Sequence, residues 1–409
     1  MVEVREFTSP FGSFLFPHIF RSFRMAIQPS KLAVAFAAVT VICATGWLMD
    51  LSRTVIVIDS PPAAVYGRFM GAERLDRTTE LDLYVMSDAG LQALRESPPA
   101  DSDRAGVFAT LWQFCAVHCR SGNVVRCLRA IVWAFTYHTV YSMVFFAVVL
   151  VALSFAGGAI CRIAALQFAR NERPGLVRAA RFARTRLASL IAAPVAPVGI
   201  AILLGIPIVA LGLIGNIPIV GELLAGLLFP VGLVAGPFIA VVLIGAIAGL
   251  NLMAPAVAYE DSDFFDAISR SFSNVYARPW RMAFYTSAAA FYGTVCYLFV
   301  RFFTFVVLWV THGFLQLGLR DEKLQAIWPA PSFDDLLGAA ASADGWSLWL
   351  AAFLIRIWIL AVVGLMISFV ISFYFSANTI IYALMRHRVD GTALDEVHVA
   401  AEEAAETSE

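Results

Sequence analysis

The chain has 409 residues, of which 60% are hydrophobic and only 14% are charged. Soluble domains carry about 25% charged residues, so this composition excludes an ordinary water-soluble protein and predicts that lipid covers part of the apolar surface. The net charge of −1 lacks the basic excess that is typical of nucleic-acid binding, and we expect no nucleic-acid partner.

The N-terminal segment, residues 1–31, carries an apolar stripe ahead of the first membrane span. Its members recur at helical spacing between residues 14 and 28: Phe16, Ile19, Phe20, Phe23 and Ile27. Arg21 and Arg24 lie opposite, which predicts an amphipathic helix in the membrane interface with its cations facing anionic headgroups. A cleaved signal peptide is the competing interpretation, but the basic region is too long and no small-x-small cleavage site follows.

Six apolar stretches are long enough to cross a bilayer, for which a helix needs about 20 mostly apolar residues. They comprise residues 32–49, 137–160, 187–214, 222–249, 282–312 and 347–380. With both termini inside, sixteen Lys and Arg residues fall on the inner side, whereas the two short outer connections hold only Arg320 and Lys323. Cytoplasmic loops carry the excess of positive charge. We therefore predict a multi-pass protein of the bacterial inner membrane with both termini in the cytoplasm.

The segment between the first two spans, residues 50–136, is predicted to be an extracytoplasmic insert. Residues 54–58 have the composition of a strand, and 78–96 and 105–130 that of helices, the second interrupted at 121–123. The nine arginines of the insert do not contradict the orientation, because loops longer than about 60 residues escape the charge rule. With little apolar content of its own, the insert is expected to pack on the outer membrane face.

Cysteine and histidine recur at helical spacing within the insert, at Cys115, His118 and Cys119, with Cys127 beyond. Three interpretations stay open: small side chains that line an amphipathic helix, a zinc site, and a disulfide between Cys119 and Cys127. The first is the simplest, and we expect neither a metal nor a cofactor.

The third and fourth spans are rich in helix-breaking residues, with six prolines and ten glycines between residues 193 and 250. Proline removes a backbone donor and kinks a helix, and in lipid the freed carbonyls must find other partners. The sequence therefore predicts kinked or broken spans, joined by a tight turn at residues 215–218.

The segments after the second and fourth spans share a frame. A glutamate, a large apolar residue and an alanine stand at offsets 0, 4 and 7 in both: Glu172, Leu176 and Ala179, then Glu260, Phe264 and Ala267. These offsets lie on one helical face, which predicts a short helix along the membrane surface in each copy. Glu260 and Arg270 are predicted to fix the second helix against the bundle, with Glu172 as the counterpart in the first. A chance alignment of two amphipathic loops is the alternative to an internal repeat.

Part of this frame also occurs in other membrane proteins that the sequence resembles. The pattern that joins Pro255, Glu260, residues 267–272 and Pro279-Trp280 resembles a diffuse group of bacterial polytopic proteins. That group includes the membrane domain fused to some glycerophosphodiester phosphodiesterases. A closer resemblance, to an uncharacterised family of bacterial membrane proteins, is carried by residues 157–164, 265–271 and 381–386. The resemblance covers about residues 155–395 and implies a polytopic membrane fold. The catalytic barrel of the phosphodiesterases has no counterpart in this sequence, so their activity is not implied.

Two arginines, Arg301 and Arg356, fall inside predicted spans, where an ionised side chain costs roughly 2.5–3.5 kcal/mol at the centre of the bilayer. Three interpretations are open: the guanidinium groups reach the outer headgroups or the carbonyls at helix C-termini, they form an ion pair, or they bind an anionic ligand. The acidic residue nearest in depth is Glu222, at the outer end of the fourth span.

No catalytic sequence pattern is present: the chain lacks H-E-x-x-H, G-x-S-x-G and a phosphate-binding glycine loop. The predicted fold is an all-α integral membrane protein with six spans, amphipathic interfacial helices, a membrane core over 137–394 and a disordered acidic tail over 395–409. We expect a non-enzymatic scaffold or assembly factor whose partners are membrane lipids, another membrane protein or a second copy. A permease or lipid-handling transporter is the alternative.

Overall fold

The computed structural model describes residues 16–52, 54–59, 77–86, 103–120, 123–338 and 345–398, and 84% of these residues are helical. Six helices are long and apolar enough to cross a membrane, which confirms the predicted all-α class and the six spans. The spans are α2 Pro29–Asp50, α6 Thr139–Arg170, α8 Leu187–Gly215, α9 Val220–Glu260, α11 Pro279–Gly318 and α13 Trp346–Val389. Shorter helices accompany them: α1 Arg21–Ala26, α3 Glu80–Met86, α4 Val107–Arg120, α5 Val124–Tyr137, α7 Leu176–Thr185, α10 Phe264–Ala277 and α12 Asp321–Ile327.

Three of the spans continue for about three turns beyond the predicted ends at residues 160, 249 and 380, which adds roughly 15 Å to each. These helices, α6, α9 and α13, continue because the residues near and beyond the predicted ends are buried by protein. Residues 156–166 and 376–386 are buried without interruption, as are 252–259 apart from Ala254. A helix that is buried on all sides forms the interior of a fold, so these ends are the core.

The internal contacts divide the chain into two compact units, residues 1–39 with 153–409 and residues 40–152. The first unit is built around the buried ends of α6, α9 and α13. An amide pair ties two of these helices together, because Asn251 Nδ2 of α9 donates to Asn378 Oδ1 of α13 at 3.1 Å. The C-terminal half of α13 also presents buried hydroxyl groups, at Ser368, Ser372, Ser376 and Thr379.

The N-terminal segment departs from the predicted single amphipathic helix. A 3-10 helix, Phe16–Phe20, is followed by α1, and the two pack against α11 and α13. Ile19 and Met25 are buried in the first unit, whereas Phe20 and Ile27 are exposed. Ser372 Oγ of α13 donates to Ala26 O at 2.8 Å. The apolar stripe is therefore divided between the protein core and the surface, because a short 3-10 turn changes its direction.

The two proline-rich spans are each one continuous helix. α8 contains Pro194, Pro197 and Pro207, and α9 contains Pro230, Pro237 and Pro255. No break of the kind predicted for these spans occurs within either helix. The predicted turn lies between them at residues 216–219.

The second unit contains a small sheet of three antiparallel strands, in the order β2 Arg77–Thr79, β1 Thr54–Asp59 and β3 Asp103–Gly106. β1 lies where a strand was predicted, whereas β2 and β3 were missed because strands of three and four residues are too short to show an alternating pattern. Helices α3, α4 and α5 complete the unit. Its apolar core comprises Val55, Leu81, Val107, Leu111, Trp133 and Phe145 among others. The insert thus has more of a core than its composition indicated, because residues 40–49 and 137–152 contribute to the unit.

The side chains of His118 and Cys119 lie outside the described part of the chain. The predicted alternatives for that segment, a zinc site or a disulfide with Cys127, therefore stay predictions.

Asp50 caps helix α4 from a distance in sequence. Its carboxylate accepts hydrogen bonds from Phe108 N at 2.8 Å, from Ala109 N at 3.0 Å and from the Tyr141 hydroxyl at 2.8 Å. We expect Asp50→Ala to lower the free energy of unfolding of this unit by about 2 kcal/mol, the upper range for the loss of a helix cap. Protease resistance of residues 103–137 measures the effect. Ser52→Ala, at an exposed neighbour, is the control and should change it by less than about 0.5 kcal/mol.

Candidate functional site

Four polar side chains meet where α9 and α13 end, and we call them the inner cluster: Glu260, Arg270, Tyr382 and Arg386. Glu260 lies at the centre. Its Oε1 is 2.8 Å from Arg386 Nε and 3.7 Å from an Arg270 nitrogen, and it accepts a hydrogen bond from the Tyr382 hydroxyl at 3.3 Å. The Arg386 contact is an ion pair whose N–H direction falls short of a hydrogen bond. The Glu260 and Arg386 side chains are only 12% and 7% exposed, so their attraction acts largely out of water.

The segment after α13 turns back over these helix ends, and we call residues 391–398 the strap. Gly391 has a φ of +71°, a conformation that glycine adopts without strain. Three arginines donate to successive carbonyls of the strap: Arg386 to Glu396 O at 2.7 Å, Arg170 to Val397 O at 3.1 Å and Arg162 to His398 O at 3.0 Å. His398 N donates to Tyr259 O at 3.0 Å.

The disordered acidic tail was predicted to start at residue 395, but residues 395–398 belong to the strap. Residues 395–398 were assigned to a disordered segment, yet Val397 is buried in the core of the first unit. Leu394 packs against the same core. Residues 399–409 lie outside the described residues.

Arg162 connects the strap to helix α7. Its Nη1 also donates to Ala258 O at 2.8 Å, and its guanidinium lies over the Phe182 ring, 4.7 Å from the ring centre. The buried face of α7 is formed by Ala179, Phe182 and Ala183. The opposite face of α7 points away from the protein.

Two further arginine–carboxylate pairs hold the connecting segments. Arg186, after α7, donates from Nε to Asp261 Oδ1 at 2.7 Å, and this hydrogen bond raises the pKa of Arg186 although partial burial opposes it. Arg270 donates to Asp266 Oδ2 at 2.9 Å. Burial lowers the pKa of Arg270, but the hydrogen bond to Asp266 and the charge of Glu260 outweigh burial and raise it. Both arginines therefore stay charged at any accessible pH.

The two connections match at the residues where their helices begin, but they differ in the residues before the helices. α7 begins at Leu176 and α10 at Phe264, the matched positions, and the matched alanines of both helices are buried. The left-handed residue that ends the preceding span is Asn171, before Glu172, but Asp261, after Glu260. Among the described residues, the Glu172 carboxylate forms no ion pair, so it does not reproduce the role of Glu260 in the inner cluster.

At the opposite end of the first unit, Arg301 of α11 binds the loop that follows α12. Its Nη2 donates to Phe333 O at 2.7 Å and to Asp334 O at 3.3 Å, and its guanidinium lies 4.9 Å from the centre of the Phe333 ring. Nη1 donates to the Tyr297 hydroxyl at 3.1 Å.

Arg356 of α13 binds the same loop, because its Nη1 donates to Leu337 O at 3.2 Å. Trp328 and Leu336 of the loop are buried between the helices. Within the described part of the chain, neither intramembrane arginine pairs with Glu222, which is exposed in the first turn of α9. The acceptors are backbone carbonyls of a loop, and not the carbonyls at helix C-termini that were predicted.

Arg301→Gln should free this loop, because the shorter neutral side chain cannot reach Phe333 O and the loop loses the hydrogen bonds that hold it to α11. A hydrogen bond to a charged group contributes about 1.5–3 kcal/mol. We expect faster cleavage of residues 328–338 by a protease added to the side of the membrane on which this loop lies. Arg320→Gln, at an exposed position before α12, should leave the rate unchanged, and equal rates for both variants would contradict the role of Arg301.

Sequence reasoning did not recognise several buried cations at this end of the first unit. Arg162 and Arg386 were counted only as charges that orient the chain, although both are buried. Lys31 was counted in the same way, yet it is fully buried and donates to Gln167 Oε1 at 2.9 Å. The available signal was position: each of these cations lies at or shortly beyond the end of a predicted span.

Comparisons with protein-family models, with curated proteins and with solved structures find no match to this chain.

Proposed function

We propose that this protein is a non-enzymatic scaffold or assembly factor of the bacterial inner membrane, which holds a membrane partner against its α8–α9 hairpin. The observation that carries the proposal is the contrast in burial within the first unit. The most apolar stretch of α9 has no buried residue and that of α8 has 6%, compared with 44% in α6. The bundle therefore has a closed core and one hairpin that extends from it.

The surface of the hairpin suits another membrane helix. Helices associate in lipid through small residues that let backbones approach closely. A Cβ added at Gly199, Gly205, Gly226 or Gly236 would meet nothing within 4 Å among the described residues. Gly245, by contrast, belongs to the part of α9 that packs on α10, where a Cβ would lie 2.9 Å from the Phe272 ring. Within α9, Gly245 is thus covered by protein, whereas Gly226 and Gly236 are uncovered.

Glycine variants on the hairpin test the proposal. Gly236→Leu should leave folding intact and abolish association with the partner, because the new side chain occupies the surface on which the partner helix packs. Gly245→Leu is the contrasting control and should lower the folded yield, since Phe272 fills that space.

The readout is native mass spectrometry of the full chain extracted with its own lipids. A stoichiometric membrane protein or second copy, lost in Gly236→Leu, supports the proposal. A lone protomer in gentle extraction and after cross-linking in intact membranes would overturn it.

A permease or lipid-handling transporter is the second candidate, favoured by one polar face of α13. Ser368, Ser372, Ser376 and Thr379 follow one another at helical spacing, and all four are fully buried. The Ser376 hydroxyl has no hydrogen-bond partner among the described residues. A transporter requires a wet polar cavity near the bilayer midplane.

Thiol labelling distinguishes the two functions. In a background without native cysteines, Ser372→Cys and Ser376→Cys should resist a water-soluble thiol reagent if the bundle is the dry core of a scaffold. Rapid labelling at either position would favour the transporter.

A further inference from the structure

We propose that the outward face of α7 binds the headgroups of anionic phospholipids in the inner leaflet. This inference goes beyond the proposed scaffold function and does not depend on a hairpin partner. The face carries Arg173 just before the helix and Arg184 on it, and both are exposed.

The packing of α7 determines where these cations point. Ala179, Phe182 and Ala183 are buried against the first unit, with the Arg162 guanidinium over the Phe182 ring. The residues on the other side therefore face outward. Leu176 and Val177 are exposed beside the arginines, at 44% and 72%. An apolar edge next to a row of cations matches the boundary between acyl chains and headgroups, where each Lys or Arg adds attraction to anionic lipid.

The corresponding helix α10 shows that this charge pattern is specific to α7. Three aspartates lie at the start of α10, Asp261, Asp263 and Asp266, and they repel anionic headgroups. Its arginine, Arg270, is engaged by Glu260 and Asp266. From Arg173 to Arg186 the α7 segment contains no acidic residue. Charge complementarity thus assigns anionic lipid to α7 and not to its counterpart.

The test compares two double variants that lose the same charge. Arg173→Gln with Arg184→Gln removes two cations from α7, and Arg320→Gln with Lys323→Gln removes two exposed cations that lie beside Asp321 and Glu322. The full chains are placed in bilayer discs that contain phosphatidylglycerol and phosphatidylcholine with identical acyl chains. Native mass spectrometry then counts the lipids that each protein retains.

The wild-type chain should retain phosphatidylglycerol in preference to phosphatidylcholine. The α7 variant should lose that preference by at least about fivefold, whereas the control variant should keep it. Equal preference in both variants would overturn the inference. So would an α7 variant that keeps its lipid but loses an acidic protein partner, because the face would then bind protein.

The outcome is separable from that of the scaffold proposal. Lipid preference that depends on α7, in a protein without a hairpin partner, would refute the scaffold alone. A hairpin partner without lipid preference would refute only the lipid site.

Discussion

Replacing Glu260 by glutamine should destabilise the first unit by about 3 kcal/mol, within the range for breaking a buried ion pair. The variant keeps the shape of the side chain and removes the charge that faces Arg386, which is only 7% exposed. The cost arises because the Arg386 guanidinium stays buried without its counter-charge. Thermal unfolding in detergent, followed by near-ultraviolet circular dichroism, measures the change.

Two further variants separate charge from packing. Asp266→Asn removes the other carboxylate that contacts Arg270, but both side chains of that pair are about 40% exposed, so the cost should be near 0.5 kcal/mol. Arg270→Glu places a second carboxylate beside Glu260 and should lower the folded yield in membranes. If Glu260→Gln and Asp266→Asn melted at the same temperature, the ion pair between Glu260 and Arg386 would have no stabilising role.

A double variant tests whether the coupling is between Glu260 and Arg386. Because the unpaired charge is the source of the cost, Glu260→Gln with Arg386→Met should be more stable than the sum of the single variants indicates. Additive losses would show that each residue acts through other contacts, such as the bond from Arg386 to the strap.

The membrane topology could be predicted from sequence because the bilayer imposes one simple rule, about 20 apolar residues per span. That rule located all six helices but placed the C-terminal ends of α6, α9 and α13 too early. Hydropathy treats Arg162 or Arg386 as the edge of the membrane, whereas in the fold such a residue is covered by protein. Burial by distant segments has no local signature in the sequence.

The site was predictable only where both partners are side chains. Glu260 and Arg270 stood in a recognisable frame, and the structure brings them within 3.7 Å. Arg301, Arg356 and Arg162 instead bind non-helical segments through backbone carbonyls. Every residue has a carbonyl group, so no sequence pattern distinguishes the ones that an arginine will find.

The two ends of the first unit use the same physical solution. At one end Arg301 and Arg356 hold a loop, and at the other Arg162, Arg170 and Arg386 hold the strap, in each case through carbonyls. A guanidinium group offers five donors in a fixed plane, which lets one side chain organise a segment that has no helix of its own. Intramembrane and interfacial arginines in this fold therefore attach non-helical segments to long helices.

Removal of the strap should be the most damaging truncation of this chain. A chain that ends at Asp390 loses the carbonyl acceptors of three arginines and the buried Val397 side chain, whose burial alone contributes about 1.5–3 kcal/mol. Each guanidinium left without an acceptor adds a similar cost. We expect little folded protein in membranes and, for the remainder, a strongly lowered melting temperature.

The matched control is a chain that ends at His398, which removes the acidic residues 399–409 and retains every described contact of the strap. It should fold and melt like the full chain. A point variant, Val397→Asp, should reproduce most of the loss without any truncation, because it buries a carboxylate in the apolar core. If the chain that ends at Asp390 and the chain that ends at His398 were equally stable, the contacts of the strap would be dispensable. The arginines beneath it would then hold only the ends of α6, α9 and α13 together.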